Sequence, residues 1–418
     1  MNIMSKVVII GGGAAGLMAA VSAAEHNKDA DIVIIERNSR PARKVMITGK
    51  GRCNVTNNCD VSALLANVPR NSRFLYSAFN AFSSFDTMQF FENLNVPLKT
   101  ERGNRVFPVS DKAVDIVDAL VKKALRKAKL TQGRAKAIIC DNKQVRAVKL
   151  DDGRVIEADS VVLATGGMSY PLTGSSGDGY IMAKVLGHTV TELSPSLIDI
   201  RCHEGFCTNL AGLSLKNVVF SVFYKGKKKP IFKELGEMLF THTGISGPLV
   251  LSATSYMGKG NISEYEMFID FKPALAIEQL DKRILRDFSE SLNSNFSNSL
   301  DKLLPRSLIP VMVRLSKIPA DLKVNQISKE QRESLVRLIK NFPLTPTDFG
   351  DINAAIITRG GINVKEIDPA TMQSKIINGL YFAGEIIDVD AVTGGFNLQI
   401  AFSTGYLAGK NSVEDKGE

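Results

Sequence analysis

The sequence predicts an α/β fold: a Rossmann-like nucleotide-binding domain built from both chain ends, with an inserted antiparallel β-barrel-like subdomain that itself carries a helical insertion. Three observations lead there. Residues 6–36 read as strand, glycine turn, small-residue helix and second strand. Residues 379–409 repeat the strand, glycine and helix order near the other end, and residues 218–271 switch to alternating, β-branched segments of the antiparallel kind.

Val7–Ile10 is continuously apolar and β-branched, as a central parallel strand buried on both faces must be. Gly11-x-Gly13-x-x-Gly16, with Ala14 and Ala15 between the glycines, then opens a small-residue helix running to about Glu25. Gly11 allows the tight turn, Gly13 lets backbone approach a pyrophosphate held on the helix N-terminus, and Gly16 lets the helix pack closely on the sheet. The second strand, Asp31–Ile35, ends at Glu36 and Arg37. A carboxylate at that tip accepts hydrogen bonds from both ribose hydroxyls and repels a 2′-phosphate. Strand, turn, helix, strand and acid in register specify a dinucleotide, with NAD and FAD both open.

Two further segments bear on that choice. Ser160–Ala164 is another buried strand, followed by Thr165-Gly166-Gly167, and resembles the apolar-strand-ATG element of two-dinucleotide-binding-domain flavoproteins. Residues 379–409 hold a strand, Gly384-Glu385, a loop with Asp388 and Asp390, then Gly394-Gly395 opening a helix at Phe396, Asn397 and Leu398. This is similar to the C-terminal FAD element of the same flavoproteins. The resemblance implies that the strand's acid contacts the ribityl and pyrophosphate region, and that the helix aims its first N–H groups at the pyrimidine end of the isoalloxazine. Reduction places negative charge at flavin N1 and O2, which a helix N-terminus stabilises and a nicotinamide never develops. FAD is therefore the resident dinucleotide expected.

The block from Arg43 to Asn57 completes the pattern. Together with the first turn, Ser169–Gly179, Phe240–Pro248 and the C-terminal block, it resembles the BaiN/YhiN-like family of NAD(P)/FAD-dependent oxidoreductases over essentially the whole chain. In this block Thr48, Gly49, Gly51 and Asn54 bring backbone and side-chain donors toward phosphate or flavin edges, while Arg43, Lys44 and Arg52 offer positive charge to the diphosphate or to N1 and O2. Cys53 reads as a buried, inert thiol, since no CxxC spacing accompanies it. The loop containing Gly174, Gly177 and Gly179 follows a proline-containing loop rather than a strand, and is expected to bring backbone close to the flavin. No second strand–GxGxxG–helix unit is present, so NADH or NADPH would dock transiently.

The expected domains are residues 1–194 with 359–418 for FAD, 195–273 with 343–358 for the β subdomain, and 274–342 for the helical insertion. Ile277, Leu280, Ile284, Leu285, Phe288 and Leu292 recur at helical spacing, as do Leu335, Leu338, Ile339 and Phe342. With 418 residues, 44% apolar and 23% charged, the chain can bury several cores. No apolar run is long enough for a membrane span, and a cytoplasmic location is expected. Five cysteines without metal-ligand spacing argue against metal cages and disulfides alike. Of the net charge of +9, most sits in residues 99–154, where fifteen Lys and Arg face seven Asp and Glu. Without interleaved aromatics this reads as a solvated helix face from Asp111 to Lys129 rather than a nucleic-acid surface.

The resemblance implies an oxidoreductase passing a hydride from NAD(P)H through the flavin to an activated C=C bond of a small hydrophobic, bile-acid-like enone. The same scaffold would also serve an amine oxidase of the aminoacetone type using O2, or an RNA-associated or redox-sensing flavoprotein. His242, in the glycine-rich turn of FTHTGISGP, and Tyr170, just after the ATGG element, are the candidate acids. No Ser/His/Asp order or HExxH sequence supports hydrolysis.

Overall fold

The computed structural model describes residues 5–414 apart from 259, 352 and 354. The chain divides into two units, Met1–Ser196 with Ile352–Glu418, and Leu197–Asp351.

A five-stranded parallel sheet organises the first unit, in the order Leu380–Phe382, Ser160–Leu163, Lys6–Ile10, Asp31–Glu36, Lys129–Gln132. Its central strand is sealed on both faces, Val7 and Ile9 on one and Val8 and Ile10 on the other all being buried, which is why Val7–Ile10 carries no polar residue. The helices Ala14–His26 and Phe396–Ser412, from opposite chain ends, lie against each other. A Cβ at Gly405 or Gly409 would collide with the backbone of Ala15 or Ala19. Small residues on both helices therefore set the separation.

The structure departs from the sequence reading at several points in this unit. The basic helix is shorter than expected, Ala113–Ala124, because Lys129–Gln132 is drawn into the edge of the parallel sheet. Two small antiparallel sheets, Thr56–Asn57 with Leu98–Glu101 and Arg105–Pro108, and Ala135–Asp141 with Gln144–Leu150 and Val155–Glu157, were not anticipated. Ile357–Arg359 pairs with Ser194–Ser196, so the chain has rejoined the first unit before residue 359.

The second unit is built on an antiparallel sheet ordered Phe342–Leu344, Tyr265–Asp270, Ser214–Tyr224, Phe232–Phe240, Gly244–Ser246, Ile200–Cys202, Pro346–Phe349. Its two edges are consecutive segments separated only by Thr345, which gives a barrel-like curl. Among the described residues no ladder joins those edges, so the barrel is not closed. The helices Ile277–Ser289, Ile309–Ser316 and Lys329–Lys340 share one continuous core with this sheet: Leu280, Ile284, Phe288, Leu335 and Ile339 pack with Phe220, Met267 and Phe342. The helical insertion is thus part of the second unit's core. Ile277, Leu285 and Leu292, assigned to the same apolar stripe by spacing, remain about half exposed.

Candidate functional site

A cleft over the C-terminal ends of the parallel strands is lined entirely by first-unit residues. Gly11, Gly13, Ala14 and Ala15 form one wall and Gly384, Asn397 and Leu398 another. Both long helices thus present N-termini to it. Neither has a side-chain cap or an acid in its first turn, leaving the first N–H groups of each helix for a ligand. Gly13 has ordinary extended backbone, φ −79° and ψ −173°, and a Cβ built on it meets nothing within 4 Å. That open space is the cradle that a diphosphate requires.

Glu36 lies at one end of the cleft and is largely buried. Gly12 N–H donates to its Oε2 at 2.9 Å, and Asn38 N–H and Nδ2 donate to its Oε1, both at 2.8 Å. Parallel pairing of Asp31–Glu36 with Lys129–Gln132 brings Gly133 beside it, its N–H on the Glu36 carbonyl at 3.0 Å. Around this end stand Arg37, which reaches Ser176 Oγ at 2.7 Å, and Arg134, whose fork grips Asp178 at 2.7 Å through both Nε and Nη2. Arg134 chiefly, and Arg37 less, hold the Asp178 carboxyl below its usual range. The loop Thr173–Ser176 lines the same end, with Asn38 Nδ2 on the Thr173 carbonyl. It was expected near the flavin ring; the contacts with Arg37 and Asn38 put it instead by the Glu36 carboxylate.

Lys44 also lines the cleft, but its ammonium is engaged: Nζ meets Glu385 Oε2 and Ser169 Oγ, both at 2.6 Å. Glu385 Oε1 in turn accepts from Ser169 Oγ and Thr358 N–H at 2.8 Å. The expected phosphate-facing cation and ribityl-facing acid thus neutralise each other. Arg43, Thr48, Ala164, Thr165, Gly166 and Arg37 are cleft residues as read from sequence. Thr165 Oγ1 is buried without a hydrogen-bond partner.

Other predicted residues lie outside the lining. Gly16 packs against the Gly11 backbone. Arg52 turns away onto Glu101 and Asp111, at 2.5 and 2.6 Å, with its guanidinium 4.2 Å above the Phe107 ring. Gly49, Gly51 and Asn54 belong to the same strained turn, in which Lys50 and Cys53 also have positive φ. Asn54 Oδ1 is a buried acceptor without a donor. The turn runs on to Thr56 and Asn57, whose backbone and side chain abut Gly395 and Gly394. Phe396 is buried, and Asp388 sits 3.5 Å from Arg70, which bonds Asp390 at 2.7 Å. Cys53 is fully buried, which pushes its thiol up to about 12 and leaves it inert.

Neither candidate acid lines the cleft. Tyr170 takes a left-handed conformation, φ 51°, and its carbonyl caps the turn at Thr173. His242 is an exposed residue of the second unit, its carbonyl accepting from Thr208 Oγ1. A histidine with triad-like partners occurs elsewhere: His188 contacts Glu366 at 3.2 Å and Ser374 Oγ at 2.9 Å. Ser374 Oγ is buried and caps the N–H groups of Ile376 and Ile377, so it is structural. Asn38, Gly133, Arg134, Ser176 and Asp178 are among the cleft residues that sequence spacing missed. Only the glycine-rich character of 174–179 hinted at any of them.

The uncapped helix N–H donors and the Glu36 carboxylate acceptor fit a dinucleotide with free ribose hydroxyls. The family model described as HI0933-like protein Rossmann domain matches residues 5–411. The 3-dehydro-bile acid delta(4,6)-reductase of Clostridium scindens is 32% identical over 422 residues, covering 98% of this chain and 100% of that protein. The ribosomal RNA dihydrouridine synthases of Escherichia coli and Haemophilus influenzae are 27% and 29% identical, covering 98% and 97% of this chain and 98% of each relative. Among solved structures, a variant of the E. coli quinol fumarate reductase subunit FrdA superimposes with a TM-score of 0.51 at 17% identity, over 98% of this chain and 70% of that one. That likeness is one of fold. No helix among the described residues is long and apolar enough to cross a membrane.

Proposed function

From the premise that the chain belongs to the HI0933-like Rossmann family, we propose that it is an FAD-dependent reductase saturating a C=C bond conjugated to a carbonyl, with NAD(P)H as electron source. The cleft carries the cofactor half of this reading: two uncapped helix N-termini and a fixed Glu36 carboxylate converge on one groove. Bound there, FAD would supply hydride transfer at flavin N5. Gly13, Ala14 and Ala15 would bind the diphosphate, Glu36 would orient the ribose, and Asn397 and Leu398 would turn their N–H groups to the developing flavin anion.

The relatives support the reaction half. A 3-dehydro-bile acid delta(4,6)-reductase and a dihydrouridine synthase differ in substrate size, yet both names describe saturation of a C=C bond. In one the bond is conjugated with a 3-oxo group, in the other with the C4 carbonyl of uracil. Both β-carbons are electrophilic for the same reason. A small hydrophobic enone is the first substrate reading, on the 32% identity. A uridine in RNA is the second, on the 27% and 29% identity to the ribosomal RNA dihydrouridine synthases.

Anaerobic mixing with NADH, NADPH and amines tests the direction of electron flow. Bleaching of the flavin by a nicotinamide, followed by recovery on adding a conjugated ketone or a uridine-containing RNA, is the expected result. Bleaching by amines alone would mean an amine oxidase.

A further inference from the structure

The strands Ser214–Tyr224, Phe232–Phe240 and Tyr265–Asp270 expose one face of the second unit's sheet. Register puts Phe268, Ser221 and Lys233 side by side on it, with Val219 beside Leu235 and Phe223 beside Glu266. The alternate residues Phe220, Val222, Phe232, Met267 and Ile269 point into the core. On the outer face Leu235 is 59% exposed, and the half-buried Phe223 and Phe268 meet edge to face at 5.9 Å. The hairpin joining the first two strands is Lys225-Gly226-Lys227-Lys228-Lys229, all exposed. None of its four lysines meets a carboxylate at ion-pair distance among the described residues, and neither does Lys233.

Five acids lie near this patch. Glu264 accepts from Tyr224 Oη at 2.6 Å, Glu266, Glu237 and Asp270 stand on the face itself, Asp270 held by Lys340 at 2.6 Å, and Glu234 occupies the opposite register beside Tyr256. Residues 225–233 hold five lysines and no acid, so positive charge is concentrated at the hairpin end of the face.

We propose that this hairpin and sheet face bind single-stranded or looped RNA, the lysines holding phosphates while Phe223 and Phe268 offer rings for base stacking. Lysines bordering a sheet with half-exposed aromatics match the two requirements of sequence-tolerant RNA binding, an electrostatic track and π-faces. A purely apolar partner would leave the five ammonium groups without counter-charge, and a small enone needs none of them. The choice of RNA among polyanions rests on the reading of this chain as a reductase of uridine.

The test uses the FAD-loaded full chain and a fluorescein-labelled oligouridylate of about 12 nucleotides, within the site sizes such surfaces cover. Anisotropy is followed from about 50 mM to about 200 mM salt, where phosphate contacts show as a negative log–log slope. Replacing Lys225, Lys227, Lys228 and Lys229 together by Ala is expected to reduce that slope by about 2 to 3, at roughly 0.7 per lost contact. Affinity at low salt falls at least about tenfold, with flavin content and melting temperature unchanged. Phe223→Ala lowers affinity about fivefold or more at constant slope.

The proposal is overturned if the wild-type chain fails to bind at low salt, or if the lysine variant binds with the same slope. Binding to phosphatidylserine vesicles with none to the oligonucleotide would also overturn it. NAD(P)H-driven reduction of cyclohexenone, measured on the same samples, reports the chemistry separately. Loss of that activity with lysine-dependent RNA binding intact would remove the reductase reading and leave the surface standing.

Discussion

In the first unit Lys44, Arg52, Lys99 and Arg134 each close on a carboxylate at 2.5–2.7 Å, whereas in the second Lys225, Lys227, Lys228 and Lys229 are exposed and meet none among the described residues. Judged by charge alone, residues 99–154 are the basic region of this protein and the hairpin is a short polar turn. Pairing narrows that difference without reversing it. Lys123 and Lys129 also meet acids, Glu25 and Asp31, so part of the charge excess is internal architecture, while Lys122, Arg126 and Lys127 are exposed without an ion pair among the described residues. A cation already held by a carboxylate has little left to offer a phosphate.

The largest effect is expected at the first turn, where a diphosphate would be met by backbone N–H groups rather than by a side-chain cation. Gly13→Val keeps a backbone conformation open to valine and adds a side chain in the open cradle. The variant should fold and purify without flavin. Full flavin absorbance in that variant would remove the first turn from the site.

Lys44→Met comes next. It leaves the Glu385 carboxylate, only 13% exposed, without its counter-ion, a loss of about 3 kcal/mol. Urea unfolding of the stripped proteins reads it, and adding Glu385→Leu should recover part. If Lys44→Met unfolds like wild type, the ion pair is not what holds this corner of the cleft.

Arg52→Ala should have a smaller, pH-dependent effect. Hydrogen bonds from Arg52 hold Glu101 below the usual carboxylate range, and those from Lys99 and then Arg52 do so for Asp111. For carboxyls lowered on folding, the stabilisation is present above their unfolded pKa of about 4 and is lost as pH falls through the folded values. The melting temperatures of wild type and Arg52→Ala should therefore differ at neutral pH and converge in acid. A constant difference would place the contribution of Arg52 in its stack on Phe107.

The smallest effect on stability belongs to the hairpin. Alanine at its four lysines should change unfolding by no more than about 0.5 kcal/mol, since no partner is stranded. A larger loss would reveal a contact that makes the second region resemble the first.

What the sequence disclosed follows the same division. The first turn and Glu36 were legible because strand, glycines, helix and acid lie within 31 consecutive residues, 6–36, and each has a local physical reason. The return of the C-terminal strand and helix was legible for the same cause. Hidden were partnerships made across the chain: Arg52 with Glu101 and Asp111, Lys44 with Glu385, Arg134 with Asp178. The surface beside the lysine hairpin was hidden differently. Its aromatics, Phe223 and Phe268, come together with Lys233 only through strand register, so no linear window shows them on one face.

The central claim is that this cleft holds FAD for reduction of a carbonyl-conjugated C=C bond, and single-turnover spectroscopy tests it most directly. The FAD-loaded chain, reduced anaerobically with NADPH or NADH and freed of excess nicotinamide, is mixed with cyclohexenone or with uridine-containing RNA. Stoichiometric return of the oxidised flavin spectrum, with one saturated product per flavin, is predicted. A flavin that neither nicotinamide reduces, or a reduced flavin that stays reduced with both substrates, would contradict the account.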